Sequence, residues 1–238
     1  MKPGPPFTSA ALSPDEAGAR LRAVRSAMAE AAGRAGRNVS EITLLAVSKT
    51  FPAASVRLCL AAGQVRFGES YIQEAREKIP ELAACSPAPD WHFIGHLQRN
   101  KAKYAAELFS AIHSLDQIEL AAELDRRARD LGKRLQVYAQ VNVSGEGSKS
   151  GLSPEELPGF LKALAAFPAL ELQGLMTMPP YDPDPEASRP HFAALRRLRD
   201  RFCPERPGLS MGMSGDFQVA IEEGASLIRV GSALFGER

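Results

Sequence analysis

The chain lacks an excess of either charge: 29 Lys+Arg stand against 28 Asp+Glu, a formal net charge of +1 over 238 residues. That balance supplies no general attraction to nucleic acid or to a membrane surface, so any basic site must be local. Cysteine is scarce. Cys59, Cys85 and Cys203 are odd in number and widely spaced, which excludes reading a disulfide framework or a paired metal knuckle from them. No stretch approaches the roughly 18 to 20 apolar residues of a membrane span. The opening MKPGPPFTSAALSPDE has no apolar run behind Lys2, as a secretory signal would. These absences lead to the expectation of a cytosolic protein with no nucleic-acid or membrane partner. Hydrophobic content of 45% and charged content of 24% exclude a mainly disordered or fibrous chain.

Residues 1–11 are rich in Pro and Gly and are expected to be frayed, leaving 12–238 as a single domain that includes an N-terminal helix. Ser13-Pro14-Asp15-Glu16 has capping-box spacing with Pro at the first helical position, so a helix should start there. Leu21, Val24, Met28, Ala31 and Ala35 then give it one apolar stripe. From Ile42 onward, short apolar runs alternate with helical patterns: ITLLAV, VRFG, WHFIG, AIHSL, LQVYAQVNV, LELQGLMTM, GLSMGM and SLIRVG each precede one. Apolar runs without polar alternation belong to parallel strands buried on both faces. Eight strand-helix units favour a closed (β/α)8 barrel of the α/β class. An open doubly wound sheet is the alternative, but the GxGxxG turn that usually accompanies it is absent.

In a barrel of this kind the site forms at the C-terminal ends of the strands. The residues delivered there are Lys49; Glu69 and Ser70; Gly95 and His96; Ser114; Asn142; Met176; Ser214 and Gly215; then Arg229, Gly231 and Ser232. Lys49 directly follows the strongly apolar LLAVS and precedes a turn with Pro52. Desolvation there would lower its pKa and free the amine to attack a carbonyl, whereas the bland alternative is a lysine snorkelling into water. Met213-Ser214-Gly215-Asp216 and Gly231-Ser232 each open a helix after one of the last two strands. They offer backbone N–H groups and hydroxyls suited to phosphate, or merely caps and turns. Arg229 lies two residues before Gly231 in the last strand, so both should face the barrel mouth. Its acceptor would be a carboxylate such as Glu69, a ligand phosphate or an aromatic nitrogen.

Other features carry less. His92, His96, His113 and His191 have neither HExxH spacing nor cysteine companions, so no metal site is expected. Gly147-Ser148-Lys149-Ser150-Gly151 lacks the upstream glycine of a P-loop and reads as a mobile lid with a solvated lysine. Pro179–Pro190 reads as an irregular rim loop, and Arg196, Arg197, Arg199 and Arg201 as a solvated helix face.

LLAVSKTFP, FGESYIQEAREK, WHFIGHLQRNK, IHSLD, VNVSGEGSKSG, GLMTMPP, LSMGMSGDFQVAIEEG and IRVGSALFGER, in that order, resemble the pyridoxal phosphate homeostasis proteins. These are single-domain relatives of the N-terminal barrel of alanine racemase, and the resemblance runs from about Ile42 to Arg238. It implies an internal aldimine between Lys49 and pyridoxal 5′-phosphate. It further implies that Ser214, Gly215, Gly231 and Ser232 hold the phosphate and that Arg229 faces the pyridine nitrogen. Ser70 departs from the family pattern FGEN and stands where a cofactor-side asparagine is expected. The implied role is vitamin B6 homeostasis without a defined turnover, by a monomer with PLP-dependent apoenzymes as transient partners. Two alternatives differ in class. An amino-acid racemase needs a second base opposite Lys49, which alanine racemases take from a further β domain. A Schiff-base aldolase or sugar-phosphate isomerase follows only from barrel, lysine and phosphate cradle.

Overall fold

The computed structural model describes residues 12–147 and 149–237. The segment expected to fray, 1–11, lies outside the described residues. Helix α1, Pro14–Arg34, starts at the anticipated capping box: Ser13 Oγ accepts from the Glu16 N–H and Glu16 Oε2 accepts from the Ser13 N–H. Its stripe buries Ala17, Leu21, Val24, Met28, Ala31 and Ala32, while Ala35 forms the C-cap and is only half-buried. The helix thus runs through Gly33 and stops one residue later.

The strand-helix alternation then unfolds in chain order. It comprises β1 (Thr43–Val47), α2 (Ala53–Ala61), β2 (Arg66–Glu69), α3 (Ile72–Glu81), β3 (Asp90–Phe93), α4 (Ala102–Leu108), β4 (Ala111–Leu115) and α5 (Ile118–Asp130). The second half adds β5 (Leu135–Gln140), α6 (Leu157–Leu164), β6 (Leu170–Met176), α7 (Arg189–Phe202), β7 (Gly208–Ser210), α8 (Phe217–Glu222), β8 (Leu227–Val230) and α9 (Ser232–Phe235). All neighbouring strands pair in parallel and β1 closes on β8, with Leu45 opposite Arg229 and Ala46 opposite Val230. The open-sheet alternative is therefore wrong, and closure is what brings the first and last strand ends to one mouth.

Closure requires close backbone approach between β6 and β7. Gly174 has φ +156°, and a Cβ there would lie 1.8 Å from the Gly208 carbonyl oxygen, so no side chain fits. Helices cover the outside of the barrel, and α1 packs on α2, α8 and α9 across the β1–β8 seam. Arg37 Nη1 donates to the carbonyls of Ile221 and Ala225, and Arg34 pairs with Glu222. Two arginines expected to be solvated on α7 are instead engaged: Arg196 pairs with Glu223, and Arg199 donates to the Pro207 carbonyl. The acidic Glu223 and the chain turn before β7 draw in one side of the helix, while Arg197 and Arg201 remain exposed.

Candidate functional site

A cavity of about 750 Å³ opens at the C-terminal ends of the strands, within the range of small-molecule and cofactor sites. Lys49, Ser70, Ser214, Gly215, Arg229, Gly231 and Ser232, drawn from four strand ends, all line it. Gly95, His96 and Met176 join them, but Glu69, Ser114 and Asn142 do not. Ser114 Oγ donates to the Gly95 carbonyl, and Asn142 uses its amide to hold the following loop. Gly95 has a steric reason to be glycine: a Cβ would meet the Ser70 carbonyl oxygen at 2.1 Å. The loop that carries Ser70 is thereby packed against the end of β3.

Lys49 is half-buried just beyond β1, and charged side chains from β2 and α3 hold the backbone on both sides of it. Ser48 Oγ donates to Glu69 Oε1 at 2.7 Å, and the Ser48 carbonyl accepts from Lys78 Nζ at 2.8 Å. On the other side the Thr50 N–H donates to Glu74 Oε1 at 2.6 Å. Thr50 has φ +68°, a left-handed conformation that β-branched residues rarely adopt. Lys78 pairs with Glu69 at 2.7 Å and Glu74 at 2.6 Å, and both Lys78 and Glu69 are buried. Burial pushes the Glu69 carboxyl above its ordinary pKa, and the Lys78 ammonium opposes that rise. Glu69, placed at the rim by sequence alone, is thus part of a buried clamp beneath the lysine. The Glu74-to-Lys78 spacing of four residues on a helix beside FGE was the signal available for it.

Arg229 is buried beneath the same cavity, and Glu69, the carboxylate expected as one possible acceptor, is not among its hydrogen-bond partners. Nη1 donates to the Ser210 carbonyl and the Ser210 hydroxyl, both at 2.7 Å, and Nη2 donates to the Thr177 carbonyl at 2.8 Å. These bonds use three of the five guanidinium N–H groups. Glu69 is committed to Lys78 and Ser48 instead, which is why it does not reach the arginine. With no carboxylate in hydrogen-bond contact, desolvation pulls the Arg229 pKa down to about 10.

The phosphate-like cradle also differs in detail from its reading. Asp216, not Ser214, is the N-cap of α8; its carboxylate accepts from the Met213 N–H and from Ser188 Oγ. The Gly231 and Ala233 N–H groups are engaged by Ser214 Oγ at 3.2 and 3.4 Å. Ser214 therefore caps neither its own helix nor the solvent but bridges to α9, joining the two elements into one cluster. Phe51, just past Lys49, stacks on Phe235 of α9 with centroids 5.1 Å apart, which ties the lysine turn to that cluster. A Cβ at Gly215 would find no atom within 4 Å, leaving that face open.

The lid and rim segments both reach the cavity. Lys149 and Ser150 line it, so Lys149 is not simply solvated as expected. The loop is tied down where Gln140 Nε2 donates to the Ser150 carbonyl and where Val141 bridges Leu152. The rim segment includes a short 3-10 turn, Pro185–Ser188, and contributes Pro180, Tyr181 and Asp182.

The chain matches the family described as alanine racemase, N-terminal domain, over residues 20–238. It is 47% identical over 218 residues to the pyridoxal phosphate homeostasis protein of Pseudomonas aeruginosa, covering 90% of this chain and 93% of that one. The protein of the same name from Escherichia coli K12 is 42% identical over 224 residues, covering 92% and 95%. Among solved structures, PipY of Synechococcus elongatus PCC7942 with PLP bound superposes with a TM-score of 0.82 at 36% identity, covering 92% of this chain and 100% of that one. The alanine racemase of Clostridium difficile 630 shares the fold, with a TM-score of 0.71 at 14% identity; this chain covers 57% of it.

Proposed function

This chain belongs to the family of pyridoxal phosphate homeostasis proteins, and from that premise we propose that it binds pyridoxal 5′-phosphate (PLP) in the cavity through Lys49. The single observation that carries the reading is the convergence on one cavity of a clamped lysine, a buried arginine without a carboxylate partner, and a Ser-Gly cluster at two helix starts. When bound, PLP supplies an aldehyde carbon and an aromatic nitrogen that can act as an electron sink.

Lys49 would hold PLP through Nζ, the amine nucleophile that suits the aldehyde the cofactor would supply. The clamp on Ser48 and Thr50 fixes the backbone from which that amine projects. Ser214, Gly215, Gly231 and Ser232 would hold the phosphate, the long bonds that the Gly231 and Ala233 N–H groups donate to Ser214 Oγ being exchangeable for stronger charge-assisted ones. Ser70 contributes a hydroxyl where relatives of the FGEN pattern carry an amide. Arg229 would face the aromatic nitrogen and, as a cation that does not readily surrender a proton, would supply none to it. A weak sink disfavours carbanion chemistry, so the role is cytosolic PLP homeostasis by a monomer, without a defined turnover and with PLP-dependent apoenzymes as transient recipients.

The alternative is an amino-acid racemase. Tyr71 and Tyr181 line the cavity and favour it in one respect, since a racemase needs a base opposite Lys49. Both are exposed, and no hydrogen bond among the described residues holds either phenol in place, which counts against a precisely aimed base.

The test is the visible absorption of the purified protein with added PLP, beside Lys49→Ala, followed by borohydride trapping and peptide mapping. A band in the parent alone, with the label on Lys49, is the expected result. No band, or a label elsewhere, overturns the reading. Robust two-way racemisation abolished by Lys49→Ala would replace it with the alternative.

A further inference from the structure

Parallel barrels normally fill their interior with apolar side chains, yet β3, β4, β7 and β8 here place His92, His113, Ser210 and Arg229 inside, all buried. The four form one continuous chain. His92 Nδ1 lies 2.9 Å from His113 Nε2, His113 Nδ1 lies 2.8 Å from Ser210 Oγ, and Ser210 Oγ accepts from Arg229 Nη1. At the far end, Asp90 Oδ2 lies 3.4 Å from His92 Nε2, and the Asp90 carboxylate also faces Arg66 and accepts from Ser110 Oγ. Tyr138 of β5 stacks on the His113 ring with centroids 4.4 Å apart.

Proton counting gives this chain a direction. The Arg229 guanidinium can only donate, so Ser210 Oγ must accept from it and has its own proton to place. His113 Nδ1 takes that proton if the imidazole carries its hydrogen on Nε2. That hydrogen then points at His92 Nδ1, which accepts it if His92 carries its own on Nε2, facing the Asp90 carboxylate. Every proton has an acceptor and both histidines are neutral. Reversing the chain either sets a bare His92 Nε2 against the Asp90 carboxylate or charges His92, adding a second cation near Arg229. It also leaves the Ser210 hydroxyl proton without its histidine acceptor. Burial, with the Arg229 charge adding to it, holds the His113 pKa well below the usual histidine value. The His92 hydrogen bond is the largest contribution holding Asp90 down at about 2.

We propose that His113, acting through Ser210, is a positioning residue for Arg229: the directed chain Asp90–His92–His113–Ser210 keeps the serine hydroxyl an acceptor and so fixes the guanidinium beneath the cavity as a cation with no hydrogen-bonded carboxylate. The consequence for ligand rests on the PLP reading above. An arginine hydrogen-bonded only to neutral acceptors would present its charge to a bound aromatic nitrogen, with the Asp216 carboxylate acting on it only at a distance beyond hydrogen bonding.

The experiment has two arms. Long-range 15N–1H correlation spectra of the protein without PLP should show His113 protonated on Nε2 and bare on Nδ1, unchanged from pH 8 to pH 5. The opposite tautomer, or protonation near the ordinary histidine value, overturns the proposal. In the second arm, Ser210→Ala should weaken PLP binding about tenfold in the parent and scarcely at all in an Arg229→Ala background. Equal weakening in both backgrounds would show a general packing effect and overturn the proposal. If the parent binds no PLP at all, the PLP reading fails while the tautomer result still decides the direction of the chain.

Discussion

Two buried cations lie beneath the same cavity on either side of β1, and they are stabilised in opposite ways. On the β2 side Lys78 is gripped by two carboxylates, Glu69 and Glu74, and its charge is spent holding the backbone around Lys49. On the β8 side Arg229 has only two carbonyls and a hydroxyl, and its charge remains available to the cavity. One cation serves as architecture, and in the proposed reading the other serves the ligand. The difference is legible in the partners alone, because a buried charge paired with carboxylates costs much to break, whereas an unpaired one mainly pays desolvation.

The sharpest way to break the comparison is to remove each cation by the same substitution. Lys78→Met strands Glu69 without its counter-ion and should destabilise by about 3–5 kcal/mol, lowering Tm by roughly 6–20 °C for a chain of this size. Denaturant unfolding measures this, and adding Glu69→Gln should recover part of the loss. Arg229→Met should leave stability within about 1 kcal/mol of the parent, since relieved desolvation offsets the lost hydrogen bonds. Its PLP affinity should nonetheless fall by roughly 10- to 100-fold, as read by spectroscopic titration. Comparable stability losses for the two variants would erase the distinction.

The third prediction concerns pH. A neutral buried His113 means that below the unfolded value of about 6.5 the unfolded chain binds a proton that the folded one refuses. Stability is therefore fully present above about pH 6.5 and declines as pH falls, by roughly 1.4 kcal/mol per unit for one proton. His113→Phe should flatten that slope in urea melts taken between pH 6.5 and 5. The smallest effect is expected at Thr50, which combines φ +68° with a buried hydroxyl that has no hydrogen-bond partner among the described residues. Thr50→Gly should raise stability by about 1 kcal/mol, the relief of strain exceeding the entropy cost of glycine.

Much of the fold was readable because its signals are local. Eight apolar runs such as ITLLAV and SLIRVG coincide with strands, and Ser13 and Glu16 form the capping box their spacing announced. The site positions were also readable, since strand ends follow once strands are known, and all seven residues assigned in advance line one cavity. What those residues touch was not readable. Thr177 and Ser210 reach Arg229 from 52 and 19 positions away, and nothing in LSMGM or GLMTM marks a carbonyl that will face a guanidinium. The N–H groups at Gly231 and Ala233 looked available from sequence because the Ser214 hydroxyl that occupies them lies 17 and 19 residues earlier. Lys78 was passed over for a related reason: its burial beside Glu69 depends on how α3 docks, which helical spacing does not reveal.

The packing of α1 has a consequence for the order of events during synthesis. Its apolar stripe and its Arg34 and Arg37 find their partners in α8, α9 and the turn at Ala225. At ordinary translation rates the ribosome needs roughly 10–40 s to make the intervening chain. Throughout that interval the first helix has only α2 to pack on and its flank toward α8 and α9 stays uncovered, so an element made early is among the last to complete its packing, and nascent chains halted before Ala225 should be the form most dependent on chaperones.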